Sequence, residues 1–158
     1  MVANQQIAVV VIGRNEGERL KRCIASLQKS SGQQVGPMVY VDSGSSDGSV
    51  EHAQSVGVDV VDLDISIPFT MARARNTGLQ YLQVHYPESQ YVQFVDGDCD
   101  VALSWIGDAH SFLEQHPDAV AVCGNREERY PTASVYNHLI DLEWQGIAGE
   151  VDACGGDA

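Results

Sequence analysis

The sequence is poor in positive charge. Nine Lys and Arg stand against 22 Asp and Glu, a formal net charge of −13 over 158 residues. A nucleic-acid binder needs a basic surface to neutralise phosphates, and docking on anionic lipid needs clustered Lys or Arg; the balance argues against both. A polyanionic ligand would need local help from a few arginines or a metal ion. Long apolar runs are lacking too: none approaches the ~18 residues of a membrane span. The opening MVANQQIAVVVIG has no basic segment before its apolar stretch, so no signal peptide is expected. No C-x-x-C pair occurs. The four cysteines, Cys23, Cys99, Cys123 and Cys154, lie far apart, three of them in or beside apolar runs. Buried free thiols in a reducing compartment are expected, and the chain reads as cytoplasmic. GxGxxG, Walker GxxxxGK[ST] and H-E-x-x-H patterns are absent. No repeat, low-complexity tract or linker divides the chain.

What remains describes one domain, residues 1–158. That length buries roughly 70% of its unfolded surface, enough for a core without staples. Hydrophobic content is 44% and charged content 20%, as in a globular protein. Ile7 to Ile12 (IAVVVI) is a continuous apolar run, the pattern of a strand buried on both faces. In the helical stretch that follows, Leu20, Cys23, Ile24 and Leu27 fall on one face, and Asn15 with Glu18 resembles a capping box. Further strands are expected at Pro37 to Val41, Val58 to Leu63, Tyr91 to Val95 and Ala119 to Cys123. Helices are expected at about Ser49 to Val56, Met71 to Val84 with Leu79 and Leu82 inward, Ser104 to Gln115, and Ser134 to Trp144. Strands alternating with helices mean βαβ units and a mostly parallel sheet. The chain stops in ACGGDA, a Gly-rich loop with no closing element, and is expected to be a fragment of a longer protein.

In open parallel sheets ligands sit outside the carboxyl ends of strands. Three polar clusters fall at such ends: GRNEGE after the first strand, DSGSSDG after the second and DGDCD after the fourth. DGDCD sets Asp96, Asp98 and Asp100 at alternate positions. Carboxylates this close repel unless a cation sits among them, and hard oxygen ligands favour Mg²⁺ or Mn²⁺; the bland alternative is a solvated acidic turn. In DSGSSDG, Asp42 stands at the strand edge before a Gly/Ser loop whose amides suit an anion, or the loop is an ordinary polar βα turn. GSSDG also matches the G-x-S-x-G elbow with Ser46 as nucleophile, but His85, His110, His116 and His138 lie in no context recognisable for a base. MARARNTG supplies Arg73 and Arg75, which could bond a substrate or simply pair with Asp side chains. A haloacid-dehalogenase-type phosphatase would carry D-x-D-x-[TV] on its first strand; here the aspartates follow the fourth, and position 100 is Asp.

VVIGRNEGERLKRCIASL, VYVDSGSSDGS, MARARNTGL, YVQFVDGDCD and the terminal CGGDA occur in an order and spacing similar to those of family-2 glycosyltransferases. Nearly the whole chain is covered; each motif is weak and the five in register are not. The resemblance implies an α/β, Rossmann-like GT-A fold, with a mostly parallel sheet and flanking helices, C-terminally truncated. It implies a nucleotide-diphosphate-sugar donor, Mn²⁺ or Mg²⁺, and an acceptor hydroxyl on a saccharide, lipid or protein, with inversion at the anomeric carbon. Asn15 and Glu16 would line the nucleotide pocket. Asp42 would bond the base; most members carry a second Asp next, where this chain has Ser43. Arg75 would contact base or phosphate. Asp96 would lie near the ribose, and Asp98, with Asp96, would serve the metal. Gly155, Gly156 and Asp157 match the loop under the acceptor. The general base is expected beyond Ala158. Three other readings stand beside this one: a domain that binds nucleotide sugar without turnover, a metal-dependent nucleotidyltransferase that releases pyrophosphate, and a serine hydrolase using Ser46.

Overall fold

A computed structural model describes residues 7–30, 35–146, 148–151 and 154. Its elements run β1 (Ile7–Gly13), α1 (Glu18–Lys29), β2 (Val35–Asp42), α2 (Ser49–Ser55), β3 (Asp59–Asp62), α3 (Met71–His85), β4 (Tyr91–Asp96), α4 (Trp105–Gln115) and α5 (Val135–Trp144). The four strands form one parallel sheet in the order β3-β2-β1-β4.

The apolar run of β1 lies at the centre. Residues Ile7 to Ile12 are each at most 4% exposed. Alternation along the strand deals them to two cores. Val9 and Val11 join Leu20, Cys23, Ile24 and Leu27 of α1 on one face, while Ala8, Val10 and Ile12 join Ala74 and Leu82 of α3 on the other. Thus the expected α1 face is the buried one. For α3 the inner line is Ala74, Gly78 and Leu82; Leu79 is only half-buried, one position off the expected face. Close approach explains the choice of residue at 78. A Cβ there would stand 2.5 Å from Val10 Cγ1 and 3.1 Å from Val41 Cγ2, so glycine lets the helix lie directly on β1 and β2.

Two local features follow from single residues. Between Ile7 and Val9 of β1 the β2 partner advances from Val35 to Met38, a bulge at Pro37, which has no N–H to give the ladder. Thr70 caps α3 by accepting from the Arg73 amide at 3.1 Å, which fixes where the MARARN segment turns helical.

One expected strand is absent. Ala119 to Cys123 is irregular, with Val120 99% exposed. Its composition suits a strand, but a strand exists only in a ladder, and among the described residues β4 pairs with β1 alone. The expected last helix does form, as α5, yet none of its residues is buried; Val135, Tyr136, Leu139, Ile140 and Leu142 are exposed. The four cysteines are free, as expected, but only Cys23 is fully buried; the other three are half-buried. Burial pushes the Cys23 thiol up to about 12, so it is inert. No helix among the described residues is long and apolar enough to cross a membrane.

Candidate functional site

The carboxyl ends of β1, β2 and β4 meet in one crevice. From β1 the chain crosses to β2 on one side, while β4 adds on the other, so the strand order reverses between β1 and β4. That switch point is where open α/β sheets hold ligands. The three polar loops of the sequence all arrive there.

The first two loops are stitched together. The Asn15 amide donates to Ser45 Oγ at 2.8 Å, the Ser46 amide donates to Asn15 Oδ1 at 2.8 Å, and the Gly17 amide donates to Ser49 Oγ at 3.2 Å. Asn15 is left-handed, with φ 55°, a conformation asparagine tolerates better than most residues. This corrects the capping-box expectation. Gly17 is the N-cap of α1 and carries no side-chain cap, Glu18 bonds Lys21, and Asn15 serves the neighbouring loop. The third loop is tied to β1 by the Gly97 amide, which donates to the Ile12 carbonyl at 2.8 Å.

Asp42 is 3% exposed, and its carboxylate organises the second loop. Oδ1 accepts from the Tyr40 hydroxyl at 2.9 Å and from Ser45 Oγ; Oδ2 accepts from the Gly44 and Ser45 amides at 2.9 and 2.7 Å. A carboxylate offers about four lone-pair directions, and all are taken. Buried Tyr40 has its phenol raised by burial. Neither Tyr40 nor Ser45 stood out in the sequence as part of the site.

The three aspartates of DGDCD have three fates. Asp96 accepts from Arg75 Nη2 at 2.7 Å, an ion pair with the Arg75 side chain 17% exposed. Asp100 is paired with Arg129, 29 residues on, and has Arg22 3.9 Å away. Asp98 is exposed and, among the described residues, has no arginine partner. Arg73 faces elsewhere: its guanidinium donates to the carbonyls of Ile67 and Asp64 and braces the loop before α3.

Glu16 lines the same crevice. Its Cγ would meet a Cβ placed on Gly13 at 3.0 Å or on Gly97 at 3.4 Å, so glycines on both walls admit it. Burial, opposed by Arg19 at 2.8 Å and reinforced by repulsion from Asp98 and Asp47, raises the Glu16 carboxyl above its ordinary 4.5. Because the folded value is raised, the ionised form is disfavoured in the fold. The penalty is nil well below pH 4.5, grows as pH rises from the ordinary value to the raised folded one, and is constant above it. Glu16→Gln is therefore expected to raise Tm at pH 8 and leave it unchanged at pH 4; equal shifts at both pH values in a thermal melt would contradict the assignment.

Among the described residues no three His, Cys, Asp or Glu side chains converge to hold a metal by themselves. Mg²⁺-like ions in phosphate sites use one or two carboxylates and take other oxygens from the phosphates and water. Exposed Asp98 with Glu16 repelled beside it fits that incomplete donor set.

Among the described residues, none of the four histidines weighed as a base for Ser46 is placed beside it. His85 stacks on Tyr81, His116 on Phe112, and His110 meets the edge of Tyr91 at the amino end of β4. These contacts place the three histidines towards the amino end of the strands, and Ser46 lies beyond the carboxyl end. His138 is on exposed α5. Gly155, Gly156 and Asp157 lie outside the described residues.

Comparison with known proteins places the chain. The model of "Glycosyl transferase family 2" matches residues 8–150. A TPR repeat-containing protein of Synechococcus elongatus is 27% identical over 140 residues, 89% of this chain and 32% of that protein. S. aureus TarS, solved with UDP, superposes with a TM-score of 0.58 at 22% identity, over 71% of this chain and 33% of that one. Glucosyl-3-phosphoglycerate synthase from Mycobacterium tuberculosis, solved with Mn²⁺, UDP and glucosyl-3-phosphoglycerate, gives 0.54 at 22% identity, over 68% and 39%. The chain thus spans about a third of the length of these relatives. The superpositions show the expected GT-A architecture, a mostly parallel sheet with flanking helices. With the family model matched over nearly its whole length, the chain belongs to glycosyl transferase family 2.

Proposed function

We propose that residues 1–158 form one sugar-nucleotide domain, which binds a nucleotide-diphosphate sugar with Mn²⁺ or Mg²⁺ for transfer to an acceptor hydroxyl with inversion. One observation carries this reading: at the switch-point crevice Asp98 alone of the three aspartates has no arginine partner among the described residues, beside the Arg75–Asp96 pair. Sugar transfer expels a nucleoside diphosphate, so negative charge grows on the leaving group. In a chain of net charge −13, a divalent ion at the diphosphate supplies the neutralisation that nine scattered basic residues do not. Asp98, with Asp96, would hold that ion. Arg75 would contact base or phosphate and Asp96 the ribose side. Asn15 and Glu16 would line the pocket. TarS and glucosyl-3-phosphoglycerate synthase, both solved with UDP and the second also with Mn²⁺, support the donor class.

The acceptor side would include Gly155, Gly156 and Asp157, and the general base would lie beyond Ala158. Four free cysteines support a reducing, cytoplasmic setting. The test is calorimetric titration of UDP, GDP and dTDP with and without Mn²⁺. Binding of at least one, strengthened by the metal, is expected. No binding of any of them in Mn²⁺ overturns the reading.

A further inference from the structure

Two of the four cysteines, far apart in sequence, stand together behind the crevice. Cys23 is on the buried face of α1, and Cys99 is in the DGDCD loop. Their closeness follows from what the loop is bonded to. The Asp96 carbonyl accepts from the Cys99 amide at 2.9 Å and from the Cys23 thiol at 3.8 Å. One turn further along α1, Ser26 Oγ accepts from the Val101 amide at 2.9 Å. Residues 23 and 26 are neighbours on one helix face. The loop is therefore lashed to that face on either side of Cys99.

Between those two ties the Cys99 side chain packs on the core that contains Leu20, Cys23 and Leu27. Burial first, and Cys99 next, hold the Cys23 thiol up, so the two sulfurs are close enough for charge on one to disfavour charge on the other. Cys99 also reaches the crevice. Its Sγ donates to Asp98 Oδ1 at 3.6 Å. One sulfur thus stands between a buried thiol of α1 and the carboxylate assigned above to the metal.

We propose that Cys23 and Cys99 are a redox pair: a peroxide joins them in a disulfide, which draws Cys99 away from Asp98 and weakens metal-dependent nucleotide binding. The effect on binding rests on the sugar-nucleotide reading above. Cys99 is half-buried and meets the oxidant first. Peroxide transfers one oxygen to its sulfur, giving a sulfenic acid and one water. The Cys23 sulfur then attacks the Cys99 sulfur. The S–O bond breaks, and the hydroxyl leaves with the Cys23 proton as a second water. Two thiols have lost two electrons and two protons, and one peroxide has become two waters. By itself Cys23 is inert; the electrophilic sulfur held beside it makes it react. A thiol such as glutathione reopens the bond by exchange. In the bridged state the Cys99 sulfur no longer supports Asp98 Oδ1, and Asp98, one residue before it, follows the backbone.

The test oxidises the reduced protein with hydrogen peroxide, blocks remaining thiols, and maps cross-linked peptides by mass spectrometry. Calorimetric titration of UDP and GDP in Mn²⁺ is run before oxidation, after it, and after dithiothreitol. A Cys23–Cys99 peptide is expected, with affinity for the tighter-binding nucleotide about tenfold weaker, the scale for losing a group that supports a metal's carboxylate. Dithiothreitol should restore it. Cys99→Ser should keep the affinity of the reduced protein and show no response to peroxide; Cys23→Ala should form no such cross-link. A bridge to Cys123 or Cys154 instead, no bridge at all, or a Cys23–Cys99 bridge with unchanged affinity overturns the proposal while the sugar-nucleotide reading stands. An equal loss in oxidised Cys99→Ser does the same. Reduced wild type that binds neither nucleotide overturns the sugar-nucleotide reading and the redox control together.

Discussion

Asp42→Ala is expected to destabilise the fold by about 3–5 kcal/mol, the scale for stripping the charge from a buried hydrogen-bonded network. The carboxylate holds the Tyr40 hydroxyl, the Ser45 hydroxyl and the Gly44 and Ser45 amides. Alanine takes the carboxylate acceptor away from the Tyr40 hydroxyl, in a residue of 0% exposure. It also frees two amides that cap the turn after β2. For a domain of this length the loss corresponds to a fall in Tm of roughly 10 °C or more. Tyr40→Phe removes only one of the four donors and no charge, and should cost about 1 kcal/mol. Urea melts of both variants decide the matter. A loss below about 1 kcal/mol for Asp42→Ala would show that the loop is held by something other than this carboxylate.

Asp98→Ala is the counterpart: a large effect on binding with almost none on the fold. The side chain is exposed and takes no part in either core. Removing a carboxylate that bears on a metal-bridged diphosphate should weaken Mn²⁺-dependent nucleotide affinity about 100-fold, roughly 2.7 kcal/mol. Titration without metal should give the same weak value for variant and wild type. Tm should be unchanged or slightly higher, since Glu16 loses a repelling neighbour. A change below threefold in Mn²⁺ would remove Asp98 from the metal's donor set.

These two aspartates also show what the sequence could and could not convey. Both were legible as residues at strand ends, because a buried apolar run that breaks into polar loop is local information. So were β1 and the inward face of α1, whose burial follows from period alone. The division of labour was not legible. Nothing near DGDCD announces that Asp100 is matched by Arg129, far along the chain. Nothing near Asn15 reveals that its side chain crosses to the Ser46 amide. The Ala119 to Cys123 segment failed for a related reason. Its apolar composition suits a strand, but a ladder partner is a property of the whole sheet. Leu79 missed by one position because α3 turns its smallest residue, Gly78, to the sheet to come close.

The bonds from Asn15 to Ser45 and Ser46 have a consequence for how a ligand is met. Two loops that would otherwise fluctuate separately form one rim, each holding the other's amides. Ordering a loose side chain at an interface costs about 0.5–1.5 kcal/mol, and that entropy is lost here when the chain folds. A molecule entering the crevice finds the rim already set. Its affinity then depends on chemical match, with little drawn off to freeze the wall, and mismatched molecules cannot be accommodated by loop rearrangement without breaking several bonds at once.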